Sequence, residues 1–112
     1  LMTKYAKDPI EINIVEEDRR EMALNELKSL KDAIKDFNKG VSKDIKQFDK
    51  LVKDYESTPE QFDRMFFNVF TKRKQEVEKI WERRSGMLAH IEADEWQRII
   101  SSAKVKMAEK KK

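Results

Sequence analysis

The chain has 112 residues with no cysteine, two glycines and two prolines, and 42% of its residues are charged. This composition excludes disulfides and thiolate metal sites, and it favours a single domain, 1–112, built from long helices. The net charge is only +3, from 25 basic and 22 acidic residues, so nucleic acid is an unfavoured partner, and no apolar run approaches the roughly 18 residues of a membrane span.

Residues 1–15 are predicted to be an extended or disordered arm. Residues 10–15, Ile-Glu-Ile-Asn-Ile-Val, alternate apolar and polar side chains as a strand does, but the sequence offers no second strand to pair with them. We therefore expect Ile12 and Ile14 to pack from an extended segment. Because the chain begins with Leu1-Met2 rather than with Met, two interpretations stay open: a piece of a longer protein, or a mature product from which a signal peptide or an anchor was removed.

Apolar residues recur at steps of four and three from Ala23 to Phe37, and again from Val41 to Tyr55. This spacing is the narrow seam of a coiled-coil-like helix. Gly40 separates the two runs, and either one helix continues through it or two helices meet there. We favour a break or kink at Gly40, since two short helices can then pack against each other.

Residues 57–61, Ser-Thr-Pro-Glu-Gln, form the strongest helix start in the chain. Thr58 is a favoured N-cap, Pro59 suits the first helical position, and Gln61 can reach back to the cap as in a capping box. This helix is predicted to run to about residue 84, before a second candidate break at Gly86. A last helix follows, and the basic stretch 104–112 is predicted to fray.

These elements predict an all-α protein of three to four helices, arranged as a long antiparallel helical hairpin or bundle of elongated form. Because a chain of this size buries only a thin core, a homodimer is expected. The predicted core consists of Leu27, Leu30, Ile34, Ile45, Phe48, Phe66, Val69, Val77, Ile80, Ile91 and Ile99.

Residues 62–70 concentrate large apolar side chains in a chain that is otherwise mostly charged. On a helix they span an arc of roughly 200°, about twice the width that packing on one side requires. Either neighbouring helices cover this segment on two sides, or its outer edge, chiefly Phe67, meets another protein. The candidate partner-binding residues are Phe62, Met65, Phe66, Phe67 and Phe70.

No combination of side chains predicts catalysis, a cofactor or a metal site. The sole histidine, His90, has Asp94 one helical turn away, but a metal site needs more ligands from other elements. Glycine-rich phosphate loops, serine nucleophile motifs and Cys-His pairs are all missing from the sequence. A weak nucleic-acid site on basic residues is the least favoured hypothesis. It would use Lys72, Arg73, Lys79 and Arg83.

Two helix starts share a pattern, Thr-Pro-Glu-Gln-Phe at 58–62 and Glu-Ala-Asp-Glu-Trp at 92–96. The first is similar to the Leu-Thr-x-x-Gln motif of small periplasmic helical proteins of the Spy/CpxP type, with Ser57 in place of Leu. The second has Ile91 in place of Leu, and glutamates in place of Thr and Gln. The motif residues are Thr58, Pro59, Gln61, Glu92, Glu95 and Trp96.

The resemblance implies a periplasmic protein made with a signal peptide, which forms a thin helical dimer. It further implies an ATP-independent chaperone that binds client proteins, or a partner of an envelope-stress sensor. The alternative hypothesis is a helical adaptor or assembly subunit, periplasmic or cytoplasmic, that docks one specific protein.

Overall fold

A computed structural model describes residues 2–110, and within that range the protein is all-α, as predicted. A 3-10 helix at Met2–Tyr5 precedes four α-helices, which are α1 at Lys7–Asn13, α2 at Glu17–Lys53, α3 at Pro59–Leu88 and α4 at Ala93–Lys110. None of these helices combines the length and the apolar character needed to cross a bilayer.

The helices contribute to two compact units. The terminal unit contains residues 2–32 and 81–110, and the hairpin unit is Ala33–Ile80. Among the described residues, every buried hydrophobic side chain except Met65 belongs to the terminal unit. The hydrophobic core of the chain therefore lies in the terminal unit.

The core of the terminal unit draws on all four α-helices, with α1 packed against α4. Three members of the predicted core, Leu27, Leu30 and Ile99, are buried in it, and Ile91 is half-buried. The full set of buried hydrophobic residues in this unit is Ala6, Pro9, Ile10, Ile14, Ala23, Leu27, Leu30, Met87, Ile99 and Ala103.

The segment predicted to be an extended arm instead forms α1. Pro9 lies in the first turn of this helix, where a backbone N–H has no helical acceptor and its loss is tolerated. Ile10 and Ile14, four residues apart, are both buried, whereas Ile12 is 75% exposed. The prediction was wrong because a lone strand leaves its backbone groups unpaired, whereas a helix pairs them internally.

The C-terminal segment predicted to fray is helical as far as Lys110. Lys106 Nζ lies 2.7 Å from Asp8 Oδ2, which joins α4 to α1. The hydrogen bond from Lys106 lowers the pKa of Asp8. Residues 104–110 are therefore helical in the structure, and the fraying of this stretch in solution stays a prediction, while residues 111 and 112 lie outside the described residues.

The hairpin unit is an antiparallel pair of helices, joined by residues 54–58. In an antiparallel pair, contacting residues that lie further from the turn on one helix also lie further from it on the other, and this is observed. The Phe48 ring lies 5.9 Å from that of Phe62 and 5.7 Å from that of Phe66, centroid to centroid, and Asp44 pairs with Arg73 further from the turn. The predicted antiparallel hairpin is confirmed.

Both glycines lie inside continuous helices, so the break or kink favoured at Gly40 is wrong. Neither has a positive φ. The guanidinium of Arg73 occupies the space that a Cβ at Gly40 would fill, and a Cβ at Gly86 would lie 2.9 Å from a carboxylate oxygen of Glu26. Each glycine thus provides room for a neighbouring side chain, rather than a turn.

Gly40→Ala tests this role of Gly40. Alanine gains up to about 1 kcal/mol of helix propensity, but its methyl group displaces Arg73 and weakens the pairing with Asp44. We expect a small net change in the free energy of unfolding, and the full propensity gain only in an Arg73→Ala background. Urea denaturation of the four proteins measures both steps, and an equal gain in both backgrounds would contradict the assigned contact.

Candidate functional site

The capping box predicted at the start of α3 is present. The Thr58 N–H donates to Gln61 Oε1 at 2.8 Å, and the Gln61 N–H donates to Thr58 Oγ1 at 3.4 Å. Pro59 is the first residue of α3, and all three residues are exposed. The box fixes where α3 begins, and with it the direction in which the following aromatic side chains project.

The second helix start, at α4, makes half of such a box. The Glu92 N–H donates to Glu95 Oε1 at 2.8 Å. Glu95 also accepts two hydrogen bonds from Arg19, at 2.7 Å to Oε1 and 3.0 Å to Oε2. Arg19 Nη1 donates as well to the backbone carbonyl of His90 at 3.1 Å. The motif therefore joins the start of α4 to α2 within the terminal unit, and Trp96 beside it is half-buried.

The ion pair between Arg19 and Glu95 is well shielded, because Glu95 is only 5% exposed. The hydrogen bonds from Arg19 hold the pKa of Glu95 below its ordinary value, and the Glu92 N–H acts in the same direction, against the opposing effect of burial. Glu95 in turn raises the pKa of Arg19. Both groups stay charged near neutral pH, which suits a structural tie between helices.

The carboxylates near His90 do not form a metal site. Within residues 2–110, no three His, Asp or Glu side chains are arranged to hold a metal ion. His90 contributes its backbone carbonyl, rather than its ring, to the contact with Arg19.

The hairpin unit carries an exposed apolar surface on α3. Met65 is buried against α2, and Phe62 is half-buried. By contrast Phe66, Phe67 and Phe70 are 53%, 70% and 71% exposed. The five candidate partner-binding residues therefore divide into two that help hold the hairpin together and three that face outward.

Several residues predicted as core lie on this same exposed surface. Ile45, Phe48, Phe66 and Val77 are exposed, so their assignment to the core is wrong. In the hairpin unit each helix has one neighbouring helix, which covers only one side of its apolar seam. No third helix of the unit covers the other side, so apolar residues there stay exposed. The remaining predicted core residues, Ile34, Val69 and Ile80, are half-buried.

A groove of about 280 Å³ runs between α2 and α3 at the centre of the hairpin unit. Its floor and walls are almost entirely apolar, and the only polar residues along it are Asp44 and Arg73. The apolar lining residues are Val41, Ile45, Phe48, Met65, Phe66 and Val69. We use the name hairpin face for seven exposed apolar residues on α2 and α3 of the hairpin unit: Ile45, Phe48, Val52, Phe66, Phe67, Phe70 and Val77.

Comparison of the chain with protein-family models, with curated proteins and with solved structures found no match. The Spy/CpxP resemblance therefore stays a prediction that rests on the two helix starts.

Arg73 is occupied by two carboxylates. Its Nε lies 2.9 Å from Asp44 Oδ2, Nη1 pairs with Glu76, and the Arg73 side chain is only 13% exposed. Arg73 is thus a poor candidate for the basic nucleic-acid site, because its charge is already balanced within the hairpin unit. Sequence reasoning missed this cluster because Asp44 is an ordinary charged residue in a helix full of them.

Proposed function

We propose that this chain is a non-enzymatic protein that binds other polypeptides through the hairpin face. One observation carries the proposal: three phenylalanines in succession along α3, Phe66, Phe67 and Phe70, each keep more than half of their surface exposed. Contiguous exposed apolar surface of this kind is typical of protein interaction sites. Aromatic side chains are also enriched at the centres of such sites.

The character of the groove favours a chaperone-like role over recognition of one sequence. Its only polar lining residues, Asp44 and Arg73, form an ion pair with each other, so their charges are already balanced inside the hairpin unit. A groove that is otherwise apolar selects mainly by hydrophobicity, which many unfolded chains satisfy equally. This supports the client-binding role that the Spy/CpxP resemblance implies.

A periplasmic location belongs to the same proposal and rests on the resemblance. Fractionation of cells that express the native gene tests it, since the periplasmic fraction is expected to contain the protein. Recovery from the cytosol alone would remove the envelope-stress role and favour the adaptor hypothesis.

Phe67→Asp is the direct test of the hairpin face. We expect the helical signal in circular dichroism to stay nearly unchanged, because Phe67 is not part of the buried core. Client binding is expected to fall at least tenfold, because the new carboxylate must be desolvated under an apolar client. Suppression of light scattering by heated citrate synthase and by reduced insulin measures that binding.

Asn68→Asp is the matched control. It adds the same charge at the next residue of α3, also exposed, but about 100° further around the helix and away from Phe66 and Phe70. It is expected to protect both clients as the unmodified protein does. Equal loss in the two variants would point to net charge rather than the hairpin face, and global unfolding of Phe67→Asp would place Phe67 in the core.

The same preparations separate the two protein-binding hypotheses. Capture of one stoichiometric partner, with no protection of either client, would favour the adaptor. Protection of both unrelated clients would favour the chaperone. If the protein neither captures a partner nor protects a client, polypeptide binding itself is contradicted.

A further inference from the structure

Lysine side chains from four helices converge on an open cavity in the terminal unit. Its two adjoining parts have volumes of about 370 and 220 Å³, and Lys7 and Lys31 line both of them. The lysines come from the 3-10 helix, α1, α2 and α4, so residues far apart in the sequence meet here. We call this place the lysine cavity, defined by Lys4, Lys7, Lys28, Lys31, Lys106 and Lys110.

The lysine cavity accounts for the net positive charge of the whole chain. Two carboxylates, Asp8 and Glu109, also line it, so its six lysines leave an excess of four positive charges. The entire chain has 25 basic and 22 acidic residues, and those outside the cavity are therefore nearly balanced, at 19 basic and 20 acidic. The excess of positive charge is thus concentrated in one concave place.

Most of this charge has no partner in the fold. Lys106 pairs with Asp8, with 2.7 Å between Nζ and Oδ2. Among residues 2–110, no carboxylate forms an ion pair with Lys4, Lys7, Lys28 or Lys31. Like charges that the fold holds together repel one another and destabilise the compact state. An anion bound among these lysines would relieve that repulsion.

Shielding of the core explains the length of these side chains but not their charge. Lys7, Lys28 and Lys31 line the smaller part of the cavity together with Leu24 and Leu27. Lysine stems often cover apolar side chains in this way while the ammonium group stays in water. Shielding does not require charges of one sign, however, and the chain has 22 acidic residues that could alternate with the lysines.

The lining favours an anion of high charge density. The described lining residues include no arginine, so the planar, two-point recognition that suits a carboxylate is missing. Lysine ammonium groups act as point charges and are common phosphate binders. Tyr5 also lines the larger part, and a phenol can donate a hydrogen bond to an oxyanion. That part alone lies within the range of roughly 300–1,000 Å³ that small-molecule sites occupy, which leaves room for several linked phosphate groups.

A compact ligand suits this cavity better than a nucleic acid does. A long polyanion requires a basic groove that follows its backbone, together with aromatic side chains on which its bases stack. Outside the lysine cavity the charges are nearly balanced, so an extended strand would meet as many carboxylates as cationic groups.

We propose that the lysine cavity binds an oligophosphate, which is a chain of two or more phosphate groups, either free or attached to a nucleoside. Lys7 and Lys31 hold the central position, because they line both parts of the cavity. No residue of the hairpin face takes part. The cavity is therefore a second site, additional to the proposed binding of polypeptides.

Calorimetric titration of the full chain with inorganic tripolyphosphate, in metal-free buffer at low salt, tests this site. One tripolyphosphate is expected to bind per chain, at least tenfold more tightly than citrate, which carries carboxylates in place of phosphates. The double variant Lys7→Gln/Lys31→Gln is expected to weaken this binding at least tenfold, because hydrogen bonds between charged groups are the strong ones. Lys43→Gln/Lys46→Gln is the matched control, since it removes two exposed lysines of α2 in the hairpin unit, and its affinity is expected to change less than twofold.

Asp8→Asn is expected to change the affinity in the opposite direction, which a loss of folded structure cannot imitate. It removes a carboxylate from the cavity and releases Lys106 from its ion pair. Tripolyphosphate is therefore expected to bind at least threefold more tightly. Asp49→Asn is the matched control, because it breaks the exposed pair with Lys53 outside the cavity, and it is expected to leave the affinity unchanged.

Several results would overturn the proposal. These are no binding of tripolyphosphate to the unmodified protein, binding of citrate with equal affinity, equal losses in the two double-lysine variants, or weaker binding by Asp8→Asn. Tighter binding of a short thymidine oligonucleotide would overturn it in favour of nucleic acid. Titration with adenosine triphosphate distinguishes the two sources of the phosphate chain. An affinity above that of tripolyphosphate identifies a nucleotide, and an equal or lower affinity identifies a free oligophosphate.

Discussion

Replacing Ile99 with alanine is expected to lower the free energy of unfolding by about 2–5 kcal/mol. Ile99 has no exposed surface and lies on α4, in the unit that holds nearly all of the buried hydrophobic side chains. The substitution removes apolar contacts and leaves a cavity that rigid helices only partly close. Since domains of this kind are stable by only about 5–15 kcal/mol, urea denaturation followed by circular dichroism is expected to show a clear shift of the midpoint.

Ile45→Ala is the matched control, because it deletes the same atoms from the hairpin face. Ile45 is 62% exposed, so the expected cost is below about 1 kcal/mol when the protein is dilute enough to be monomeric. Dilution matters because self-association would stabilise the folded state by mass action. Equal losses for the two variants in dilute protein would mean that the core is not confined to the terminal unit.

The two isoleucines both belong to the predicted core, and their different burial shows what a sequence pattern leaves undecided. A step of three and four residues predicts which residues share a helix face. It does not specify how many other helices lie over that face. Ile99 lies on α4, which packs against α1 and the 3-10 helix, whereas Ile45 lies in the hairpin unit, where α3 is the neighbouring helix.

Features controlled within one turn of helix were the most predictable. The capping box of Thr58 and Gln61 involves residues three apart, and it has the hydrogen bonds that the sequence indicated. The role of Gly40 depends instead on Arg73, which lies on the other helix of the hairpin. Because a glycine suits both a break and a close approach, the sequence around Gly40 contained no means of choosing between them.

The same limit applies to the candidate sites. The broad arc of residues 62–70 was visible from helical periodicity, and so was the prominence of Phe67. The ion pair between Arg19 and Glu95 joins residues 76 positions apart, in a chain where charged residues are everywhere. The sequence singled out Glu95 only because it lies three residues after Glu92 in the second helix-start motif. It contained no local signal for Arg19.

Glu95→Gln is expected to lower the free energy of unfolding by about 1–3 kcal/mol at pH 7. Glutamine keeps the shape of the side chain and can still accept the hydrogen bond from the Glu92 N–H. It loses the negative charge that Arg19 contacts with both of its terminal nitrogens. Asp94→Asn is a suitable control, since it likewise replaces a carboxylate by an amide, in an exposed ion pair on the same helix, and is expected to cost less than about 1 kcal/mol.

The loss caused by Glu95→Gln is expected to depend on pH in a defined direction. Arg19 holds the pKa of Glu95 below its ordinary value, so the folded state favours the ionised form. The resulting stabilisation is complete above the unfolded pKa of about 4.3, and it disappears as the pH falls through the lower pKa of the folded state. The difference in free energy of unfolding between the unmodified protein and the variant is therefore expected to be constant from pH 7 to about 5 and to shrink below about 4.

Urea titrations of both proteins at pH 7, 5, 4 and 3 measure this difference in free energy. The other carboxylates are the same in both proteins, so their contributions cancel when the two free energies are subtracted. A gap that stays the same down to pH 3 would mean that the charge of Glu95 does not stabilise the fold.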